Sequence, residues 1–375
     1  MSWQARRIES ESESESEPEP VTARRAPQRI WRSLVPYLGT IFAVCFVALS
    51  AFAAMYKFPN VIIRPGSADA VGPRLAVSGT KDYPAKGTVL WATVSLIPEP
   101  RLLDMVDGWL HRDTIDIEKR EDIIGNVSTA ENRRISSEEM DDSKQVARVV
   151  AARTLGFTAK GGGVLIADIE PKTPADGTLK KNDVILRADG QSLCLLGDLR
   201  TAISTHKPGE RVVLDVQRGK AAVQTIKITT AGTKSGRPFI GVYAGSVKGS
   251  PCVIPFDVKI DTARIGGPSA GLAMTLGLLD RLTKGELTGG VPVAATGTIE
   301  ADGSVGAVGG VKQKTHAVKA AGAKLFLVPV DEVKLAQPTA GSMKVVGVRN
   351  LDDALRALRE LGGDPLPPSV LARSK

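Results

Sequence analysis

The sequence predicts an α+β protein that follows a single N-terminal transmembrane helix. Three observations lead there: one uncharged apolar run, a central stretch of short strands separated by turn signals, and a C-terminal stretch where strand-like runs alternate with apolar residues at helical spacing.

Residues 1–33 open the chain. From Glu9 to Pro20 glutamate alternates with serine and then proline, a composition that cannot bury a core, so this part reads as a disordered tail. Leu34–Tyr56 follows without one charged residue and exceeds the ~20 residues that cross the roughly 30 Å hydrocarbon layer as a helix. Arg24, Arg25, Arg29 and Arg32 precede this run, while only Lys57 and Arg64 follow closely. That bias places the N-terminus in the cytoplasm and everything after Lys57 outside. A cleaved signal peptide competes, because Ala51-Phe52-Ala53 has the form of a cleavage site, but the run is longer than an ordinary signal core and favours an uncleaved anchor. Glutamates and arginines balance within the tail, so the formal net charge of +8 belongs to the rest of the chain and suits a surface near membrane lipid. No basic run interleaves with aromatic residues, so no nucleic-acid partner is expected.

Residues 57–154 form a linker and an N-terminal α/β segment. Gly87–Ser95 alternates like a strand, and Met140–Leu155 carries Val146, Val149, Val150 and Leu155 on one side of a helix. The strand is expected to join the sheet of the C-terminal domain, which would make the unit between them an insertion. That unit, residues 155–232, is rich in strands. Gly163–Ile169 reads as a strand, Thr173-Pro174-Ala175 as a turn, Leu179–Leu186 as a loop plus strand and Asp189-Gly190 as a tight turn. An amphipathic stretch at Leu195–Ser204 and the strands Arg211–Val216 and Gln224–Thr229 complete it. Cys45 lies in the apolar run. Cys194 and Cys252 fall in different expected domains, which favours two separate small core residues while leaving a bridge between them as the alternative.

Residues 233–365 carry the chemistry, and 366–375 form a C-terminal tail. Gly266-Gly267-Pro268-Ser269-Ala270-Gly271 puts a serine on a tight turn, and Leu272, Leu276, Leu279 and Leu282 then recur at helical spacing up to Gly285. A hydroxyl at a first helical turn is a candidate nucleophile. The backbone at Gly267, Pro268 and Ala270, with the positive end of the helix dipole, can hold an oxyanion. For this motif alone, an N-cap serine is the plainer reading.

A serine nucleophile needs a base, and His111, His206 and His316, the only histidines, sit in no recognisable triad pattern. Lysine remains. In Gly309-Gly310-Val311-Lys312-Gln313-Lys314 a second helix opens, and at 100° per residue Lys314 falls within about 60° of Val311 and about 40° of Val318. Lys312, His316 and Lys319 cluster on the opposite side. A lysine on the apolar face is desolvated, which lowers its pKa toward that of a general base. Without the serine, such a lysine would ordinarily snorkel to solvent. No HExxH, no clustered Cys/His spacing and no phosphate-binding Gly-Lys-Ser/Thr occurs, so no metal, nucleotide or other cofactor is expected.

Gly-Pro-Ser269-Ala-Gly, Ala295-Thr296-Gly297-Thr298-Ile299, Gly309–Lys314 and Ala321–Pro329 together resemble the proteolytic domain of Lon proteases. The resemblance implies that Ser269 is the nucleophile, that Lys314 is the general base, that the Thr296 hydroxyl supports the pair, and that the chain assembles as a hexameric homo-oligomer. Two positions depart from the family pattern: Gly266 stands where an acid is common, and Thr298 where a glutamate usually follows Thr-Gly. The middle unit resembles a bacterial PDZ domain, with Lys181-Asn182-Asp183 in place of Pro-Gly-Asp. That likeness implies a carboxylate-binding loop at Leu155-Gly156-Phe157, which would receive a peptide C-terminus as an added strand. The whole resembles the bacterial membrane-anchored, PDZ-containing Lon-like proteases. It implies an ATP-independent serine endopeptidase, single-pass in the cell membrane, that captures protein substrates by hydrophobic C-termini and cleaves them outside the cytoplasm. A non-catalytic PDZ adaptor and a self-processing protease are the competing readings.

Overall fold

The computed structural model describes residues 28–246, 252–263 and 265–367, and of these the side chains of 28–36, Leu38 and Ser246 lie outside the description. Most of the expected acidic tail and of the C-terminal tail therefore falls outside it. The chain divides into two compact units, Met1–Tyr56 and Lys57–Lys375.

In the first unit, helix α1 spans Gln28–Met55, beginning before the expected Leu34. Among the described residues no helix is long and apolar enough to cross a membrane, and the side chains of α1 before Tyr37, where the expected span begins, are not described.

The second unit is built on a mixed sheet. Its strands are β1 (Asn60–Ala70), β2 (Leu75–Ser78), β3 (Thr88–Ile97) and β4 (Asp116–Lys119), followed far along the chain by others. Strand β3 runs parallel to the segment Pro292–Ala295, with Thr88 opposite Pro292 and Trp91 opposite Ala295, and antiparallel to β1 on its other side. The N-terminal segment therefore contributes strands to the sheet of the C-terminal domain. Between β3 and β4 lies helix α2 (Leu102–Leu110), and after β4 the long helix α3 (Thr129–Thr154) crosses one face. Ser128 caps α3 by accepting the Glu131 N–H at 3.1 Å, which starts this helix well before the apolar stretch that marks it in the sequence.

From α3 the chain enters a separate sheet made of β5 (Val164–Ile169), β6 (Asp183–Ala188), β7 (Arg211–Arg218), β8 (Gln224–Thr229) and β9 (Val242–Ser246), with helix α4 (Leu196–Ser204) packed beside it. The strand order is β9-β5-β6-β7-β8, and this sheet has its own core of Val164, Ile166, Ile185, Val212, Leu214 and Ile240. Its last strand lies beyond residue 232, because the chain returns after the Gln224–Thr229 hairpin to pair antiparallel with β5.

Entry and exit of this unit meet. Lys160 and Val253 form an antiparallel bridge with mutual backbone hydrogen bonds of 3.0 and 2.7 Å. Beside that neck Cys194 and Cys252 are joined as a disulfide with Cα atoms 5.4 Å apart, which corrects the expectation of two separate core thiols. The expectation failed because an inserted unit brings residues far apart in sequence to one junction.

The chain continues through β10 (Asp257–Ile260), α5 (Gly271–Leu282), β11 (Pro292–Ala295), the hairpin β12 (Thr298–Ile299) and β13 (Val305–Gly306), α6 (Val311–Ala320), β14 (Leu325–Pro329), α7 (Val333–Ala340), β15 (Lys344–Val348) and α8 (Leu351–Glu360). The main sheet has the order β15-β14-β11-β3-β1-β4. Strand β14 reads Leu-Phe-Leu-Val-Pro and is buried along its length, as a central parallel strand covered on both faces must be. Two cores follow: α3, α5 and α8 contribute to the one holding Trp91, Leu276 and Leu325, while α6 and α7 contribute to the one holding Leu90, Val311 and Phe326.

Candidate active site

Ser269 sits one residue before the N-cap of α5, on a turn whose backbone is held from three sides. Gly267 has φ +82, a conformation open to glycine, and its N–H donates to Ser136 O of α3 at 2.7 Å. Ser143 Oγ, one face of α3 further on, donates to Pro268 O at 3.1 Å. The Ser269 carbonyl accepts from Gly297 N–H at 2.9 Å and from Thr296 Oγ1 at 3.3 Å. Thr296 is thus fully buried and fixes the backbone of Ser269. Of the residues named for the oxyanion, Gly267 has its N–H committed to α3 and Pro268 has none, so the turn can offer the amides of Ser269 and Ala270 at the start of α5. A Cβ on Gly266 would lie 3.0 Å from that of Ser136, so glycine at this position lets the turn pack closely on α3.

Lys314 lies on α6, which begins after Gly310 in the left-handed conformation. A Cβ on Gly310 would approach Val94 Cγ1 to 2.6 Å, so glycine lets the start of α6 press onto β3. Lys314 is buried, at 2% exposure, and burial lowers its pKa from 10.5 to about 8 against the opposing field of Glu332. Glu332 is itself buried, which raises its carboxyl pKa, and it accepts the Val308 N–H at 2.6 Å. Lys312 turns the other way, with its Nζ 2.6 Å from Asp116 Oδ1.

Ser269 and Lys314 line one cleft of about 810 Å³, with Thr93, Val94 and Leu96 of β3 and Asn132, Arg133 and Ser136 of α3 as further walls. Beyond Trp91, β3 has no pairing to β11, so its backbone borders the cleft. A hydroxyl at a helix N-terminus and a buried amine thus share one cleft, the two groups that a serine–lysine proton transfer requires. Sequence reasoning missed α3: Ser136 and Ser143, seven apart on one helical face, were the available signal.

The loop expected to receive a peptide C-terminus has its backbone amides committed to the end of α3. Leu155 caps α3 and is buried in the main core, and the N–H groups of Leu155, Gly156 and Phe157 donate to Ala151 O, Arg153 O and Ala152 O. Amides spent on a helix terminus cannot receive a carboxylate. Phe157 packs edge-on against Phe256 with centroids 5.5 Å apart. The open groove of the inserted unit, about 860 Å³, lies instead between α4 and β9, walled by Leu196, Leu199, Ile203, Phe239, Ile240 and Val242. Among the described residues strand β9 pairs only with β5 and is the sheet edge. Pro238-Phe239-Ile240-Gly241, an apolar glycine turn running into an alternating strand, was the signal for it.

Comparison with known proteins gives the class of each part. Residues 261–359 match the Lon protease (S16) C-terminal proteolytic domain, and residues 139–230 match the PDZ domain family. The chain therefore carries a Lon-type proteolytic domain together with a PDZ domain. It is 30% identical over 184 residues to a Lon protease of Phenylobacterium zucineum, covering 48% of this chain and 23% of that protein. A Lon protease of Clostridioides difficile is 38% identical over 93 residues, 24% of this chain and 12% of that protein. The chain thus spans less than a quarter of the length of these relatives. Among solved structures, the PDZ domain of the SdrC-like protein of Listeria innocua is 28% identical over 22% of this chain and 92% of that chain, with a TM-score of 0.21.

Proposed function

We propose that the chain is an ATP-independent serine endopeptidase, anchored in a bacterial membrane by Leu34–Tyr56 with its catalytic domain outside the cytoplasm, and that its PDZ domain captures protein substrates. The observation that carries the catalytic reading is Lys314, buried beside the same cleft as Ser269 with its pKa lowered to about 8. Neutral Lys314 takes the Ser269 proton as Oγ attacks a peptide carbonyl. The amides of Ser269 and Ala270 receive the oxyanion at the N-terminus of α5. The intermediate collapses, its amine leaves with the proton held by Lys314, and an ester on Ser269 remains. Water, deprotonated by Lys314, hydrolyses that ester and restores the hydroxyl.

Capture is assigned to the β9–α4 groove. An extended C-terminal segment adds to the free edge of β9, and its apolar side chains rest on Leu196, Ile203 and Phe239. Membrane anchoring rests on the uncharged run and on the arginines before it.

A fluorophosphonate probe on the purified full chain tests the chemistry. Labelling mapped to Ser269, absent in Ser269→Ala and strongly slowed in Lys314→Ala, is the expected result. Labelling elsewhere, or peptide hydrolysis that survives Ser269→Ala, refutes it. For topology, a reporter active only outside the cytoplasm, fused after Lys375, should be active.

A further inference from the structure

Helix α2 is amphipathic the wrong way round for a helix that buries its apolar face. At 100° per residue Leu102, Leu103, Val106, Trp109 and Leu110 occupy an arc of about 120°, and that arc faces solvent. Leu103 is 81% exposed, Trp109 66% and Leu110 62%. Asp104 and Asp107 lie outside that arc and are each partly exposed. Asp104 accepts the Arg101 N–H at 3.0 Å, and Asp107 pairs with Arg64 of β1 at 2.8 Å. Gly108 is buried where a Cβ would come within 2.9 Å of Ile117 Cδ1, so the side of the helix opposite the apolar arc packs closely on the protein. Monomeric soluble proteins seldom leave so continuous an apolar face uncovered.

We infer that this face of α2 lies in the interfacial layer of a lipid bilayer, as a second membrane contact beside the anchor. The inference rests on the reading of Leu34–Tyr56 as a membrane span. Two observations select lipid as the occupant. First, the chain just after that run is tied to the start of α2: Phe58 N–H donates to Pro100 O at 2.9 Å, and Lys57 pairs with Glu99. In the proposed topology, then, the residues that follow the span are the ones tied to the start of α2. Second, the face has interfacial chemistry, a tryptophan among leucines with Arg101 and Arg112 exposed at the two ends of the helix. Leu96 and Pro98, which lead into α2, also line the catalytic cleft. Docking of α2 thus brings that cleft close to polypeptide segments emerging from the membrane.

The test uses the full chain reconstituted in phosphatidylcholine–phosphatidylglycerol vesicles, with or without lipids brominated near the headgroup. The fluorescence difference between wild type and Trp109→Phe isolates Trp109 from the other three tryptophans of the sequence. Bromolipid should remove about half or more of that difference signal. Leu103→Glu with Leu110→Glu should abolish the quenching while the chain still floats with the vesicles. A floating chain whose Trp109 signal is equal in brominated and ordinary lipid overturns the inference and leaves the anchor standing. If that signal is unquenched and the chains cross-link through α2, the face is covered by a second copy and the inference is also wrong. A chain that does not float at all removes the anchor and the inference together.

Discussion

The catalytic cleft, about 810 Å³, and the PDZ groove, about 860 Å³, are nearly equal in volume, yet their walls are made by opposite means. In the catalytic cleft the working groups are backed by buried elements: Lys314 by α6, the Ser269 turn by α3 and by Thr296 and Gly297. The PDZ groove is bordered by β9, the edge strand of its sheet among the described residues. On the proposed function, the first would be preorganised for a single proton transfer and the second adaptable to many sequences. Chemistry should therefore fail abruptly on single changes, whereas capture should degrade gradually.

The largest expected effect is that of Ser269→Ala. Hydrolysis of short peptides and of proteins should fall by at least about a thousand-fold, with the melting temperature unchanged because the side chain fills no core space. Activity surviving in both substrate classes would dissolve the distinction between the clefts.

Lys314→Met should be as severe for turnover but stabilising where Ser269→Ala is neutral. In wild type the amine is charged below about 8, so peptide hydrolysis should rise about ten-fold per pH unit up to that point and then level. Burial disfavours the charged form in the folded state. That cost is complete below pH 8, and it fades between 8 and 10.5, where only the unfolded chain still holds the proton. The methionine variant should thus be more stable at pH 7, by up to about 3 kcal/mol, and converge on wild type above pH 10.5. Lower stability at pH 7 would show that Lys314 is not desolvated.

Two changes at the junction between the clefts come next. Replacing Cys194 and Cys252 together by alanine should cost about 4 kcal/mol in denaturant unfolding, from the chain entropy released when a closure spanning 58 residues is opened. Phe157→Asp should cost about 3 kcal/mol by removing the contact with Phe256, and it should not selectively change KM. A selective KM effect at Phe157 would return the peptide loop to Leu155-Gly156-Phe157.

Leu196→Glu, on the half-buried wall of the PDZ groove, should raise KM about ten-fold for proteins with apolar C-termini and leave short-peptide turnover intact. Loss of short-peptide turnover would mean the groove acts on the chemistry. A structural route exists for that outcome: α4 packs at Gly197 against Ala301, in the hairpin that follows Gly297. The smallest effect belongs to Lys312→Ala, which loses a half-exposed pair with Asp116 and should cost about 1 kcal/mol or less with turnover nearly unchanged.

What the sequence by itself determined was local. A glycine-proline turn before an apolar repeat marked Ser269, and helical phase separated Lys314 from Lys312, because side-chain direction along one helix follows from spacing alone. The alternation at Gly87–Ser95 and the strands at Val164–Ile169 and Gln224–Thr229 were legible for the same reason. Non-local pairing was decided only in the tertiary structure. The union of Cys194 with Cys252 and the return of β9 onto β5 depend on an insertion whose ends meet at Lys160 and Val253. The role of α3 in holding the Ser269 turn depends on Ser136 and Ser143 reaching a loop more than a hundred residues away. The loop assigned at Leu155–Phe157 went wrong at that boundary, since the same amides can greet a peptide or close a helix, and only the length of α3 settles which.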